Sequence, residues 1–173
     1  MSGVGEATGS RFVRLQSPES HPCRPVHLGV FALVNGLRAA GALTEREMEL
    51  LRVHHAWYDA AYPNPSTIDP YCYDRDRHPT AAAWFRTSAT ELLARVHPYL
   101  EMLRAHNVGL ELLSSDVPGR VVYEDAYQVV VVQDGPRRPG SVRRRPVIEP
   151  NAADPAAGGV LHPLPALQWA YPL

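Results

Sequence analysis

The residues of this chain best suited to chemistry gather between positions 54 and 78. His55 and Asp59 stand four apart, which on a helix stacks an imidazole and a carboxylate on one face. Such a pair serves as a general base with its orienting acid, or as two ligands of a divalent metal. His54 is adjacent in sequence but about 100° round the helix. The loop that follows adds Asp69, Tyr71, Cys72, Tyr73, Asp74, Arg75, Asp76 and His78. His55, Asp59 and His78 are therefore the catalytic candidates, with Tyr58, Tyr71, Tyr73 and Arg75 able to hold a polar small molecule. No metal-ligand spacing is completed, so neither a metal nor any other cofactor is expected. The same residues also have a structural reading. In it His55 packs half-buried beside Asp59, and Asp74-Arg75-Asp76-Arg77 is a solvated ion-pair run.

A second locus is Tyr123-Glu124-Asp125-Ala126-Tyr127-Gln128. Tyr123 and Glu124 join the binding candidates there. Adjacent strand residues point to opposite faces, so Glu124 and Asp125 converge only if a turn rotates one of them. An aspartate in a turn needs no further role. Cys72 beside His78 would make a nucleophile only with an imidazole or helix N-terminus at the sulfur, which the sequence does not show.

Composition narrows the classes. All 17 basic residues are arginine, which removes the lysine of a phosphate-binding P-loop and the amine of Schiff-base chemistry. Only Cys23 and Cys72 are present, far apart, so neither a disulfide framework nor a paired-cysteine zinc site is expected. Residues 1–24 carry three arginines against two glutamates, and residues 133–173 five arginines against three carboxylates. The middle is therefore acidic, unlike a dedicated nucleic-acid-binding domain. Nucleic acid is an expected partner only through the arginine-rich tail. The opening Met-Ser-Gly-Val-Gly-Glu lacks the basic-then-apolar pattern of a signal peptide. No stretch approaches the ~20 apolar residues of a membrane span. A cytoplasmic protein with no membrane contact is the expectation.

The elements that must position these groups follow from pattern. The Gly-, Ser- and Pro-rich residues 1–24 read as a disordered leader. Residues 26–34 fit either a buried strand or a helix, with the helix favoured because Leu37–Gly41 resembles a last turn and its glycine. Thr44 and Glu47 form a capping box that starts a helix over 44–62, with Met48, Leu51, His55, Tyr58 and Tyr62 along one face. A proline-punctuated loop spans 63–79. A helical region with Trp84, Phe85, Leu92, Val96, Leu100 and Leu103 on one face follows, kinked or divided near His97 by Pro98. Strands are expected at 110–113, 120–124 and 127–132. Residues 134–173 read as a mostly disordered Pro/Arg-rich tail, with an apolar end around Trp169 and Tyr171 able to dock.

The fold class is thus α+β: three or four helices on a small antiparallel β-meander, a single domain over 25–133, with disordered N- and C-terminal tails. The function expected is that of a small binding or regulatory module acting through a protein or small-molecule partner. The alternative is a small enzyme using the His55–Asp59 base and the 69–78 loop.

Overall fold

The computed structural model describes residues 9–136, 138 and 140–162. The architecture is α+β, with helices packed on an antiparallel sheet. The sheet is larger than a three-stranded meander. It holds β1 (Phe12–Gln16), β2 (Ala82–Arg86), β3 (Leu110–Ser115), β4 (Arg120–Glu124), β5 (Gln128–Val132), β6 (Arg143–Glu149) and β7 (Val160–Leu161), in the order β4-β5-β2-β1-β3-β6-β7. The helices are α1 (Val30–Ala39), α2 (Glu45–Ala61), α3 (Pro65–Ile68), α4 (Thr90–Ala94) and α5 (His97–Ala105).

Three segments depart from the sequence-based expectation. The presumed leader contributes β1, the middle strand of the sheet, which pairs with both β2 and β3. All five of its residues are buried. Its polar members hid it, because Arg14 and Gln16 read as surface residues. In the fold Arg14 is only 8% exposed. Its Nε donates to Gln16 Oε1 (2.9 Å), and its two terminal nitrogens donate to the carbonyls of Ala83 and His27 (2.7 Å each). Trp84 and Phe85 lie on a strand, not a helix. β2 is covered on both sides, so it lacks the alternation that marks a half-buried strand. Trp84 packs with Phe12, Leu113, Val129 and Val131 on one face, while Phe85 joins the helix-side core. The tail supplies β6 and β7. Only Val147 and Ile148 of β6 are buried, too short an apolar stretch to outweigh three arginines and a proline. The Trp169–Tyr171 end lies outside the described residues.

Elsewhere local rules and structure agree. The 26–34 ambiguity resolves as a helix beginning at Val30. It ends where Gly41 adopts φ +66°, with Gly41 N–H donating to Arg38 O and Ala42 N–H to Leu37 O. That pair of bonds is a Schellman stop, and its left-handed residue favours glycine. Both halves of the Thr44–Glu47 capping box are formed. Pro98 sits in the first turn of α5, where its missing N–H costs nothing. Two helices therefore meet at His97. β5 is buried throughout between β4 and β2.

The helices cover one sheet face. Val13, Leu15, Phe85 and Leu112 meet Val34, Leu51, Tyr99, Leu100 and Leu103 in one core. The C-terminal end of α5 is tied down twice. His106 bonds Glu47 at 3.0 Å, and Gly159 N–H donates to Arg104 O. Burial raises the Glu47 carboxyl, but the Thr44 amide and His106 more than reverse this and hold it below the usual range.

Removing Arg14 is expected to leave the Ala83 and His27 carbonyls buried without their donor. Arg14→Ala should destabilise the fold by about 3 kcal/mol in urea unfolding, and Arg14→Lys should recover little, because an ammonium cannot span both carbonyls. Deleting residues 1–17 should abolish the cooperative transition, an outcome a dispensable leader would not give.

Candidate functional site

The predicted site residues divide into two groups. His55, Tyr58 and Asp59 line one groove of 1140 Å³ between α1 and α2. His78, Tyr71, Tyr73, Arg75, Tyr123 and Glu124 lie outside it.

The groove has an apolar side made by Phe31, Leu43, Met48, Leu51 and Tyr58, and a charged rim that includes Arg38, Glu45, Glu49, Arg52 and Asp59. Helical spacing produces this arrangement. Phe31, Asn35 and Arg38 recur along one side of α1, facing Met48, His55 and Asp59 on α2. Beneath lies an aromatic cluster. Phe31 stacks edge-on against Tyr58 and Tyr99 at 5.0 Å each. Tyr58 donates to Leu92 O at 2.6 Å, and burial pushes its phenol far above the ordinary range. Met48 is nevertheless 43% exposed, so the groove presents apolar surface to solvent.

His55 is fully engaged. Its Nε2 lies 3.0 Å from Asn35 Oδ1 and its Nδ1 2.8 Å from the Tyr99 hydroxyl. An amide oxygen only accepts, so Nε2 carries the proton. In the neutral ring Nδ1 then accepts from Tyr99. Burial is the main influence holding its pKa below the ordinary imidazole value. Arg38 adds to it, Asp59 opposes it, and His54 contributes in the same direction as Arg38. Asp59 is exposed and makes no hydrogen bond to His55 among the described residues. The orienting partners come from α1 and α5. Sequence spacing along α2 points only to Asp59, and Asn35 was masked by the turn-like Asn35-Gly36 pair.

The remaining candidates each have local work. Asp74 Oδ1 accepts from the backbone N–H of Asp76 (3.0 Å) and Arg77 (2.9 Å), which folds the loop around an Asx turn. Arg77 lies over the Tyr71 ring at 3.9 Å, and Arg75 is exposed. Tyr73 borders a separate cavity with Arg14 and Phe85. His78 is half-buried, and its Nδ1 has no hydrogen-bond partner among the described residues. Cys72 is wholly buried, and burial, reinforced by Asp69, raises its thiol pKa. That disfavours the thiolate a nucleophile needs. Glu124 pairs with Arg86 at 2.8 Å. Tyr123 donates to Asp125 at 2.9 Å, and burial together with that bond pushes its phenol up to about 12. Asp125 also accepts from the N–H groups of Tyr127 and Gln128, as a turn aspartate does.

Among the described residues, no group of three or more His, Cys, Asp or Glu is placed to hold a metal ion, and no helix is long and apolar enough to cross a membrane. No family model, curated protein or solved structure matches the chain.

Because folding disfavours protonated His55, the folded state binds that proton less readily than the unfolded chain. Its stabilising contribution is present above the unfolded value near 6.5 and is lost as pH falls below that value. An NMR titration of the His55 ring should show a midpoint below 6.5. In an Arg38→Gln variant, which removes a nearby cation, that midpoint should move back toward 6.5, and in Asp59→Asn it should fall further.

Proposed function

We propose that this chain is a non-catalytic binding or regulatory module that captures a partner carrying an apolar anchor in the groove between α1 and α2. The observation that carries this reading is the state of His55. A general base needs a free lone pair directed at the substrate, and the one lone pair of this ring already accepts from Tyr99. Asp59 gives it no orienting bond. The other predicted catalytic group, His78, does not line the groove. What the groove does offer is apolar surface bordered by both signs of charge, the composition of a recognition site. Two free thiols, Cys23 and Cys72, fit a reducing compartment, and we place the module's action in the cytoplasm.

The reading predicts a ligand or partner that stabilises the fold by mass action, by about 2.7 kcal/mol at a hundredfold excess over Kd. Thermal shift of the full chain against nucleotides, metabolites, amphiphiles and divalent metals is the first measurement. Chemical-shift changes from any hit should map to Phe31, Asn35, Met48 and His55. Met48→Glu should weaken binding about tenfold or more without unfolding the chain, because Met48 is exposed. Turnover of a hit that His55→Gln abolishes would overturn the binding-module reading and establish the His55 enzyme in its place.

A further inference from the structure

Six arginines of the described structure donate from the guanidinium group to oxygen acceptors. Arg52, Arg86, Arg104, Arg120 and Arg144 each face a carboxylate, and Arg14 holds two carbonyls and Gln16. Arg143 and Arg145 differ. Among the described residues neither makes an ion pair, although Arg144 between them does. Strand geometry explains the difference. Successive residues of a strand point to opposite faces, so Arg144 shares a face with Glu111 and bonds it at 2.9 Å, while Arg143 and Arg145 both turn to the other side.

The register shows what they meet there. Val13, Ser114 and Arg143 lie opposite one another across β1, β3 and β6, and Leu15, Leu112 and Arg145 form the next row. The two guanidinium stems therefore leave the same face about 7 Å apart. Together with Arg144, Gly9, Ser10, Val13, Leu112 and Ser114 they border a cavity of 240 Å³ in which no lining residue is acidic among the described residues. Val13 and Leu112 are 1% and 3% exposed, so the floor is apolar and screens charge poorly. Ser10 and Ser114 bring hydroxyl donors to its wall. The site is also open from the side. β7 pairs only with Ile148 and Glu149, so no strand covers Arg143–Arg145 among the described residues.

From this we infer that the cavity between β1, β3 and β6 is an oxyanion site that takes a phosphoryl group, with Arg143 and Arg145 as the charged clamp and Ser114 as a neutral donor. Two guanidinium groups match the two negative charges and three acceptor oxygens of a phosphate monoester better than the single charge of a carboxylate. The cavity volume holds a phosphoryl group and a small substituent. Edge strands commonly carry charge simply to discourage pairing. That role would be met by arginines facing either side of the sheet, and it requires neither the enclosed volume nor the exclusion of acidic groups from its wall. The site is separate from the α1–α2 groove and does not depend on how that groove is used.

The test is NMR titration of the full chain with inorganic phosphate and with O-phosphoserine, against acetate, all at one fixed ionic strength. Saturable shifts of the Ser114, Arg143 and Arg145 amides with both phosphates, and not with acetate, are expected. Arg143→Gln/Arg145→Gln should weaken this binding about tenfold or more, a loss of about 1.4 kcal/mol or greater. Each single variant should lose part of it. Arg120→Gln, at an arginine already paired with Asp134, should leave it unchanged. Both exchanged side chains are exposed, and an unaltered thermal melt of the double variant checks that the fold survives. If phosphoserine saturates and inorganic phosphate does not, the source is a phosphorylated side chain or metabolite and the site stands. Three results would overturn the proposal: shifts that stay linear with concentration, binding that ignores the double variant, or an interaction seen only with polymeric nucleic acid and lost steeply with salt.

Discussion

A guanidinium at the centre of a sheet is costly to desolvate, by several kcal/mol even after relaxation, and the way Arg14 meets that cost organises much of this protein. One terminal nitrogen reaches the carbonyl of Ala83 on β2 and the other the carbonyl of His27, just before α1. A single side chain therefore fixes the neighbouring strand and the entry of the first helix at once. Gly29, the N-cap of α1, also forms an isolated bridge to Gln16 on the same strand. With its start held at β1, α1 lays Phe31 and Asn35 against the aromatic cluster. The wall of the groove is thus set, through the helix, by a hydrogen-bonded cation on the central strand.

The polar line does not stop at Arg14. Gln16 accepts from Arg14 Nε and donates to Glu111 on β3, and Glu111 accepts from Arg144 on β6. Arg14, Gln16 and Glu111 are buried, while Arg144 is half-exposed at the outer end. A buried carboxylate tolerates its position when it is paired and hydrogen-bonded, and here an amide and a guanidinium both donate to Glu111 Oε1. Parity then decides the rest of β6. The residue that completes this line must face Glu111, and its two neighbours must face away. Arg143 and Arg145 over the β1–β3–β6 cavity, which make no ion pair among the described residues, are the geometric counterpart of the paired Arg144.

What could be read from sequence depended on whether a signal was local. The Thr44–Glu47 capping box, the Gly41 stop and the proline at the head of α5 each act within a few residues, and each stands in the structure as its chemistry dictates. The valines of β5 declared themselves because an unbroken apolar run has few other uses. β1, β2 and β6 were opaque for a shared reason. Each draws stability from strands distant in sequence, and each breaks the alternation that marks a half-buried strand: β1 by burying Arg14 and Gln16, β2 by being covered on both faces, β6 by exposing five of its seven residues. The site shows the same division. His55 and Tyr58 were visible from spacing on α2, whereas Asn35 and Tyr99 come from α1 and α5 and carry no sequence mark of their meeting with His55.

That meeting bears on what the groove can do. A neutral imidazole donating to Asn35 and accepting from Tyr99 joins α2 to α1 on one side and to α5 on the other, so His55 acts as a brace across three helices. The Tyr99 bond would have to break before Nδ1 could take a proton from a substrate, and Tyr99 is itself wholly buried, so its hydroxyl would be left without a polar partner in an apolar setting. Burial also raises the Tyr99 phenol, with Asp59 acting in the same direction, which keeps that hydroxyl a donor at any ordinary pH. While the ring is neutral, the ring, the amide and the phenol therefore hold one another in one hydrogen-bonding arrangement. Such a constellation suits a rigid floor that a ligand meets, more than a group that must gain and lose a proton with each turnover.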